Sequence, residues 1–152
     1  MNLQQNARRL IAAGIVAATT AVGFAGSAQA VSSSGCTATP LKPVYHHHNA
    51  AGKKVLKYTI KVTCNANRTI TIYQERKEED GFLNPDDLIG KTTWVRSFGA
   101  KATKNLNFYG VLPDTELGKE EMYHRLRFKV TSNGVTSPLT GWHKSPVQSF
   151  SN

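Results

Sequence analysis

The residues able to do chemistry are few and scattered. His46, His47 and His48 stand in a row behind Tyr45. Neutral imidazoles are good ligands for zinc, copper or nickel. A metal site, however, needs three or four converging ligands with supporting contacts behind them. On an extended chain adjacent residues point to opposite sides, so only His46 and His48 could share a face. His124 or His143 would have to complete the set. The tract runs into Asn49-Ala50-Ala51-Gly52-Lys53-Lys54 and reads more simply as solvated chain. Carboxylate pairs for acid–base work occur at Asp86-Asp87, Glu78-Glu79-Asp80 and Glu120-Glu121, all in expected loops or turns, without calcium-loop spacing. No serine sits in a G-x-S-x-G elbow. No Gly-rich phosphate loop, HExxH or CxxC is present. The expected protein is not an enzyme and uses neither metal nor cofactor.

Cys36 and Cys64 are the two cysteines of the chain. An even pair in a small exported domain is most simply a disulfide. The other reading is a reactive thiol or a ligand pair, but no histidine sits at ligand spacing from either. Export follows from the first 30 residues. Arg8 and Arg9 precede an uncharged run over residues 10–24, and Ala28-Gln29-Ala30 is a small-x-small cleavage site before Val31. A membrane anchor needs about 20 apolar residues; this run is shorter and rich in Ala and Thr. Its Ala-rich character resembles signal peptides of actinobacteria, which implies a bacterial source. The expected organisation is a signal peptide over residues 1–30 and one domain over residues 31–152, secreted, with no membrane span after cleavage.

Charge is more informative than motifs. The chain carries 19 Lys+Arg against 10 Asp+Glu. Every acid lies between Glu75 and Glu121, so residues 31–74 and 122–152 are purely basic. A basic face attracts polyanions; the plain alternative is a solvated sheet face kept charged for solubility.

The elements that must hold these groups are strands. Leu56, Tyr58, Ile60, Val62 and Cys64 alternate with Lys57, Thr59, Lys61 and Thr63, the period of a half-buried strand. Asn65-Ala66-Asn67 is turn-forming, so residues 54–64 and 68–76 are expected to pair as a hairpin. Residues 77–91 read as a loop, and residues 113–121 could hold one turn of helix. Strands follow at residues 92–98, 104–109 and 121–131, with an edge strand near residues 36–42. A last strand over residues 135–147 is interrupted by Pro138 and Pro146. Met122, His124, Leu126, Phe128 and Val130 form an inward set in which His124 is expected to be structural. Tyr123, Arg125, Arg127 and Lys129 form the outward set. About seven strands predict an all-β, antiparallel β-sandwich.

Leu112-Pro113, Tyr123, Leu126 to Val130, Asn133-Gly134 and Ser137-Pro138 resemble the end of a fibronectin type III domain. That family has a Leu-x-Pro corner before a Tyr strand and a Gly-Ser-Pro turn before the last strand. Here nine residues separate Pro113 from Tyr123, and the early strands have a Cys pair in place of the family's Trp. The resemblance implies an immunoglobulin-like sandwich and no particular activity. In that topology Tyr73 joins Tyr123 on an outward face beside Arg125, Arg127 and Lys129. Rows of Tyr and Arg stack on rings and bind anions, so these five residues are the candidate binding site. The expected partner is an anionic cell-surface polymer or a protein, with nucleic acid not the physiological target. The competing reading is an effector acting on another protein, as inhibitor or toxin, through Phe82, Leu83, Leu88 and Ile89 in the loop at residues 77–90.

Overall fold

A computed structural model describes residues 28–80, 85–113 and 118–151. The expected signal peptide therefore lies outside the described residues except for its last three positions. Phe82 and Leu83 lie outside them as well. The described chain is all-β, with eleven strands: β1 (Val31–Ser33), β2 (Cys36–Pro40), β3 (Val44–His48), β4 (Lys54–Cys64), β5 (Arg68–Glu78), β6 (Asp87–Phe98), β7 (Ala102–Val111), β8 (Lys119–Ser132), β9 (Val135–Thr136), β10 (His143–Lys144) and β11 (Gln148–Ser151). Among the described residues no helix is long and apolar enough to cross a membrane.

All pairings are antiparallel. In the first sheet β4 is central, with β7 on one side. On its other side β3 and β2 lie end to end, and β1 pairs with β2. In the second sheet β5 is central between β6 and β8. The far side of β8 takes β11, β10 and β9 in turn. Alternate residues of both sheets point inward and meet in one core, where Ile60, Val62 and Leu106 pack with Ile70, Ile72, Leu126 and Phe128. Period-two patterning thus produces the sandwich that it predicts.

Several local expectations change. β4 and β5 do not form a hairpin: β4 pairs with β2, β3 and β7, and β5 with β6 and β8. The turn between them carries the chain from one sheet to the other, because both strands need their apolar faces in the same core. Asn67 takes the left-handed conformation there, at φ 55°. Arg68 ties the crossing together, donating to the Ala66, Asn67 and Ser34 carbonyls and to the Ser132 hydroxyl. The expected loop at residues 77–91 is mostly strand, since β5 continues to Glu78 and β6 begins at Asp87. The acidic and apolar residues there hid two ladder ends that pair across a bulge. Residues 119–121 belong to β8, not to a helical turn, while residues 114–117 lie outside the described ones. β2 is not an edge, because β1 covers it.

The last strand is three short pieces, and the prolines explain why. Where the segment leaves the ladder, hydroxyls replace the missing carbonyl acceptors. Ser137, Thr140 and Ser145 each donate a backbone N–H to the carbonyls of Val130, Phe128 and His124. Each also accepts that residue's N–H on its side-chain oxygen. The segment therefore follows β8 closely without a continuous ladder.

Cys36 and Cys64 face each other across β2 and β4 and are disulfide-bonded. The core also holds a polar chain. Trp94 donates its indole N–H to Gln74 Oε1 (3.1 Å), Gln74 Nε2 donates to His124 Nδ1 (2.7 Å), and His124 Nε2 donates to the Leu41 carbonyl (2.6 Å). His124 is fully buried, with Tyr58 edge-on to its ring. This places it in the structural role expected of an inward strand residue.

Two outcomes follow. Replacing both cysteines with alanine should lower unfolding stability by about 3.5 kcal/mol, the loop-closure entropy of a link of this span, read by urea melts. Burial pushes the His124 imidazole down to about 4, opposed by the Leu41 hydrogen bond and assisted by the Arg76 charge. The unfolded imidazole titrates near 6.5, so the unfolded chain takes up the proton first. Stability should be constant above about pH 6.5 and fall by on the order of 3 kcal/mol as the pH drops towards 4. Urea melts at several pH values should show this slope, and His124→Gln should lack it.

Candidate functional site

The outward side chains of the second sheet form three rows. Lys91, Glu75, Arg125 and Lys144 are cross-strand neighbours, as are Thr93, Tyr73 and Arg127, and then Val95, Thr71 and Lys129. The sheet thus brings four of the five expected site residues into one accessible area. The fifth, Tyr123, is only 3% exposed. Its hydroxyl donates to the Asp86 carboxylate, and the Lys144 ammonium lies 3.8 Å from its ring centre. Burial, and then the Asp86 hydrogen bond, push its phenol up. Alternation assigned Tyr123 to the correct face, but the base of the β5–β6 connection folds over it.

Arg125 is also less available than its position suggests. Its Nε and Nη2 both donate to Glu75 Oε2, at 2.9 and 2.8 Å, and Lys91 approaches the other oxygen at 3.4 Å. Partial burial pushes the Glu75 carboxyl up, but hydrogen bonds and charge from Arg125 and Lys91 outweigh it and hold the group below its ordinary value. A like-charged stripe down β8 would be destabilising; Glu75, directly opposite Arg125, neutralises one member.

Arg127 differs. Among the described residues it has no carboxylate partner, and its Nε is buried without a hydrogen-bond acceptor. The Trp142 ring supports it: the guanidinium carbons of Arg125 and Arg127 lie 4.5 and 4.6 Å from the ring centre. Such contacts are worth about 0.5–1 kcal/mol when exposed and about 2 when desolvated. The resulting cluster is a partly desolvated cation between a Trp and a Tyr, with Lys129 next along the strand. It can accept an oxyanion and stack against a ring.

Sequence reasoning missed Trp142. The signal was its spacing from Lys144, which stands opposite Arg125; two residues back along an extended segment reaches the same face. The prolines concealed that pairing.

The other candidates disperse. His46, His47 and His48 lie exposed on β3, at whose middle a register shift falls between Tyr45 and His47. The Tyr45 hydroxyl bonds His48 Nδ1 at 2.9 Å, and the His46 ring packs on Tyr109 at 4.7 Å. Among the described residues no group of three His, Cys, Asp or Glu is placed to hold a metal ion. Of the acid pairs, Glu79 is ion-paired with Lys144 and Asp86 accepts from Tyr123. Leu88 and Ile89 are exposed on β6. No family model, no curated protein and no solved structure matches this chain.

Tyr123→Phe removes one hydroxyl bound to a charged acceptor. It should cost about 1.5–3 kcal/mol of stability in denaturant melts, and should leave retention on anionic matrices unchanged.

Proposed function

We propose that this is a small secreted, non-catalytic binding protein whose second-sheet outer face holds an anionic cell-surface polymer. The observation that carries the reading is Arg127, a cation with no carboxylate partner among the described residues, resting on Trp142 beside Tyr73, with Lys129 next along the strand. A planar guanidinium pairs with phosphate or carboxylate through two donors at once, which a lysine cannot do. Secretion is supported by the disulfide and by the signal-like residues 1–30. The two antiparallel sheets are compatible with an immunoglobulin-like domain of the fibronectin type III kind. The buried Leu112, whose N–H donates to the Lys54 carbonyl, forms a fixed corner before the Tyr strand.

A second reading is binding to another protein as a secreted effector. It rests on β6, which among the described residues pairs on one side only and exposes Leu88, Ile89 and Val95. An open apolar edge accepts an added strand. The two readings separate by salt: polymer binding weakens steeply as salt rises, whereas strand addition does not.

The test compares two arginines six to seven ångströms apart along one strand (about 3.3 Å per residue). Arg127→Ala should weaken retention on anionic cell-wall material by about tenfold at low salt, with a difference that shrinks near ~0.15 M. Arg125→Ala, which removes a cation already matched by Glu75, should have the smaller effect. Equal retention of wild type and Arg127→Ala at low salt would remove this face and leave the β6 edge.

A further inference from the structure

The charge separation along the sequence becomes a separation between the two sheets. Every described carboxylate belongs to β5, β6, β8 or their connections, and β1, β2, β3, β4 and β7 contain none. The first sheet nevertheless carries Lys54, Lys57, Lys61 and Lys104. Lys54 reaches the Ser151 carbonyl, and Lys104 the Ser97 carbonyl and the Phe98 ring. Lys57 and Lys61 take part in none of the described ion pairs. Both point outward from the central strand, about 13 Å apart at the usual strand rise.

The surface around them is ordered by register. Lys57 stands between Val44 and Tyr109, Thr59 beside Asn107, and Lys61 between Thr39 and Asn105. Thr59 and Asn107 are joined at 2.8 Å, as are Thr63 and Thr103. At one end Tyr109, half exposed, stacks with His46, and Val55, between His47 and Val111, faces outward yet is buried. The face is therefore a strip with an aromatic pair at one end. Lysines, hydroxyls and carboxamides follow along β4, with no carboxylate anywhere on the sheet.

We propose that this outer face of the first sheet is a second binding surface, and that its occupant is an acidic polysaccharide lying along β4. The two lysines meet the anionic groups, the carboxamides and hydroxyls meet sugar hydroxyls, and the Tyr109–His46 pair meets a ring face. A lipid surface would need an apolar rim, and here the apolar residues occupy one end only. The inference goes beyond the reading of the second sheet, which lies on the opposite side of the sandwich. Where both hold, one molecule binds two anionic chains on opposite faces and bridges them; that last step rests on the second-sheet reading.

The experiment measures binding of the purified secreted protein to alginate, a polyuronate, with duplex DNA and phosphatidylglycerol vesicles as comparison probes. In an Arg127→Ala background, Lys57→Gln with Lys61→Gln should lower alginate affinity about tenfold in low salt. Its melting temperature should stay within a few degrees, as expected for exposed sites. Tyr109→Ala should weaken alginate binding and leave DNA binding unchanged. Wild type should cloud an alginate solution by bridging chains, and either single-face variant should bind without clouding it. Unchanged alginate affinity on lysine substitution overturns the inference, while a loss on Arg127→Ala alone would keep the second-sheet reading. The reverse pattern removes that reading and sustains this one. Equal dependence of alginate, DNA and vesicle binding on Tyr109 overturns the saccharide assignment.

Discussion

The hydrogen-bond chain from Trp94 through Gln74 and His124 to the Leu41 carbonyl constrains more of this molecule than any apolar contact. Apolar side chains can slide past one another at modest cost. A buried polar chain cannot, because any group left unsatisfied costs about 1–3 kcal/mol. The chain allows one tautomer of His124, protonated on Nε2, since Leu41 offers only an acceptor and Gln74 Nε2 only a donor. It links β6, β5 and β8 of one sheet to the segment after β2 of the other. It thereby sets both the register inside the second sheet and the position of the two sheets relative to each other. Gln74 and His124 point inward, so Tyr73, Glu75, Arg125 and Arg127 must point outward. The Glu75–Arg125 pair and the Tyr73–Arg127 neighbourhood are outer consequences of an inner constraint.

A second constraint lies close by. Arg76 is buried, with its guanidinium 3.6 Å from the Phe108 ring centre and a 2.7 Å bond to Thr92. Desolvation draws it below its ordinary value, and the Tyr58 phenol works in the opposite direction. Opposite it on β6 stands Gly90, where any Cβ would collide with the Arg76 guanidinium. The glycine gives that cation its space. Its neighbours on β6 sit at the bulge, which leaves Leu88 and Ile89 exposed on an open edge.

The architecture was legible in the sequence because it rests on period two. Leu56 to Cys64 and Met122 to Val130 each show an unbroken alternation, and both run as read. The inward position of His124 follows from the same pattern, and the Cys36–Cys64 link from an even cysteine pair in a small domain expected to be exported. Partner choice was not legible. Asn65-Ala66-Asn67 suits a turn within a sheet or between two sheets, and only the demand of a shared core decides. Composition misled at residues 77–91, where charge and proline near a tip outweighed the pairing of Lys77 and Glu78 with Leu88 and Asp87. Exposure was legible only as a face: Tyr123 lies on the outward side, yet Asp86 and Lys144, distant in sequence, cover it.

The same limit explains the concealed tryptophan. Trp142 is held over β8 by a segment that contains little regular strand. The backbone amides of Ser137, Thr140 and Ser145 bond outward to β8 carbonyls, and their hydroxyls accept the β8 amides. Each hydroxyl supplies what a strand carbonyl would have supplied, so the prolines cost the segment its regularity but not its attachment. That attachment places an indole over two guanidinium groups, one paired with Glu75 and one with no carboxylate among the described residues. A cation resting on a ring is held less strongly than one hydrogen-bonded to a carboxylate. On the proposed reading Arg127 is therefore the cation open to an anion, whereas Arg125, two residues away on the same face, is matched by Glu75.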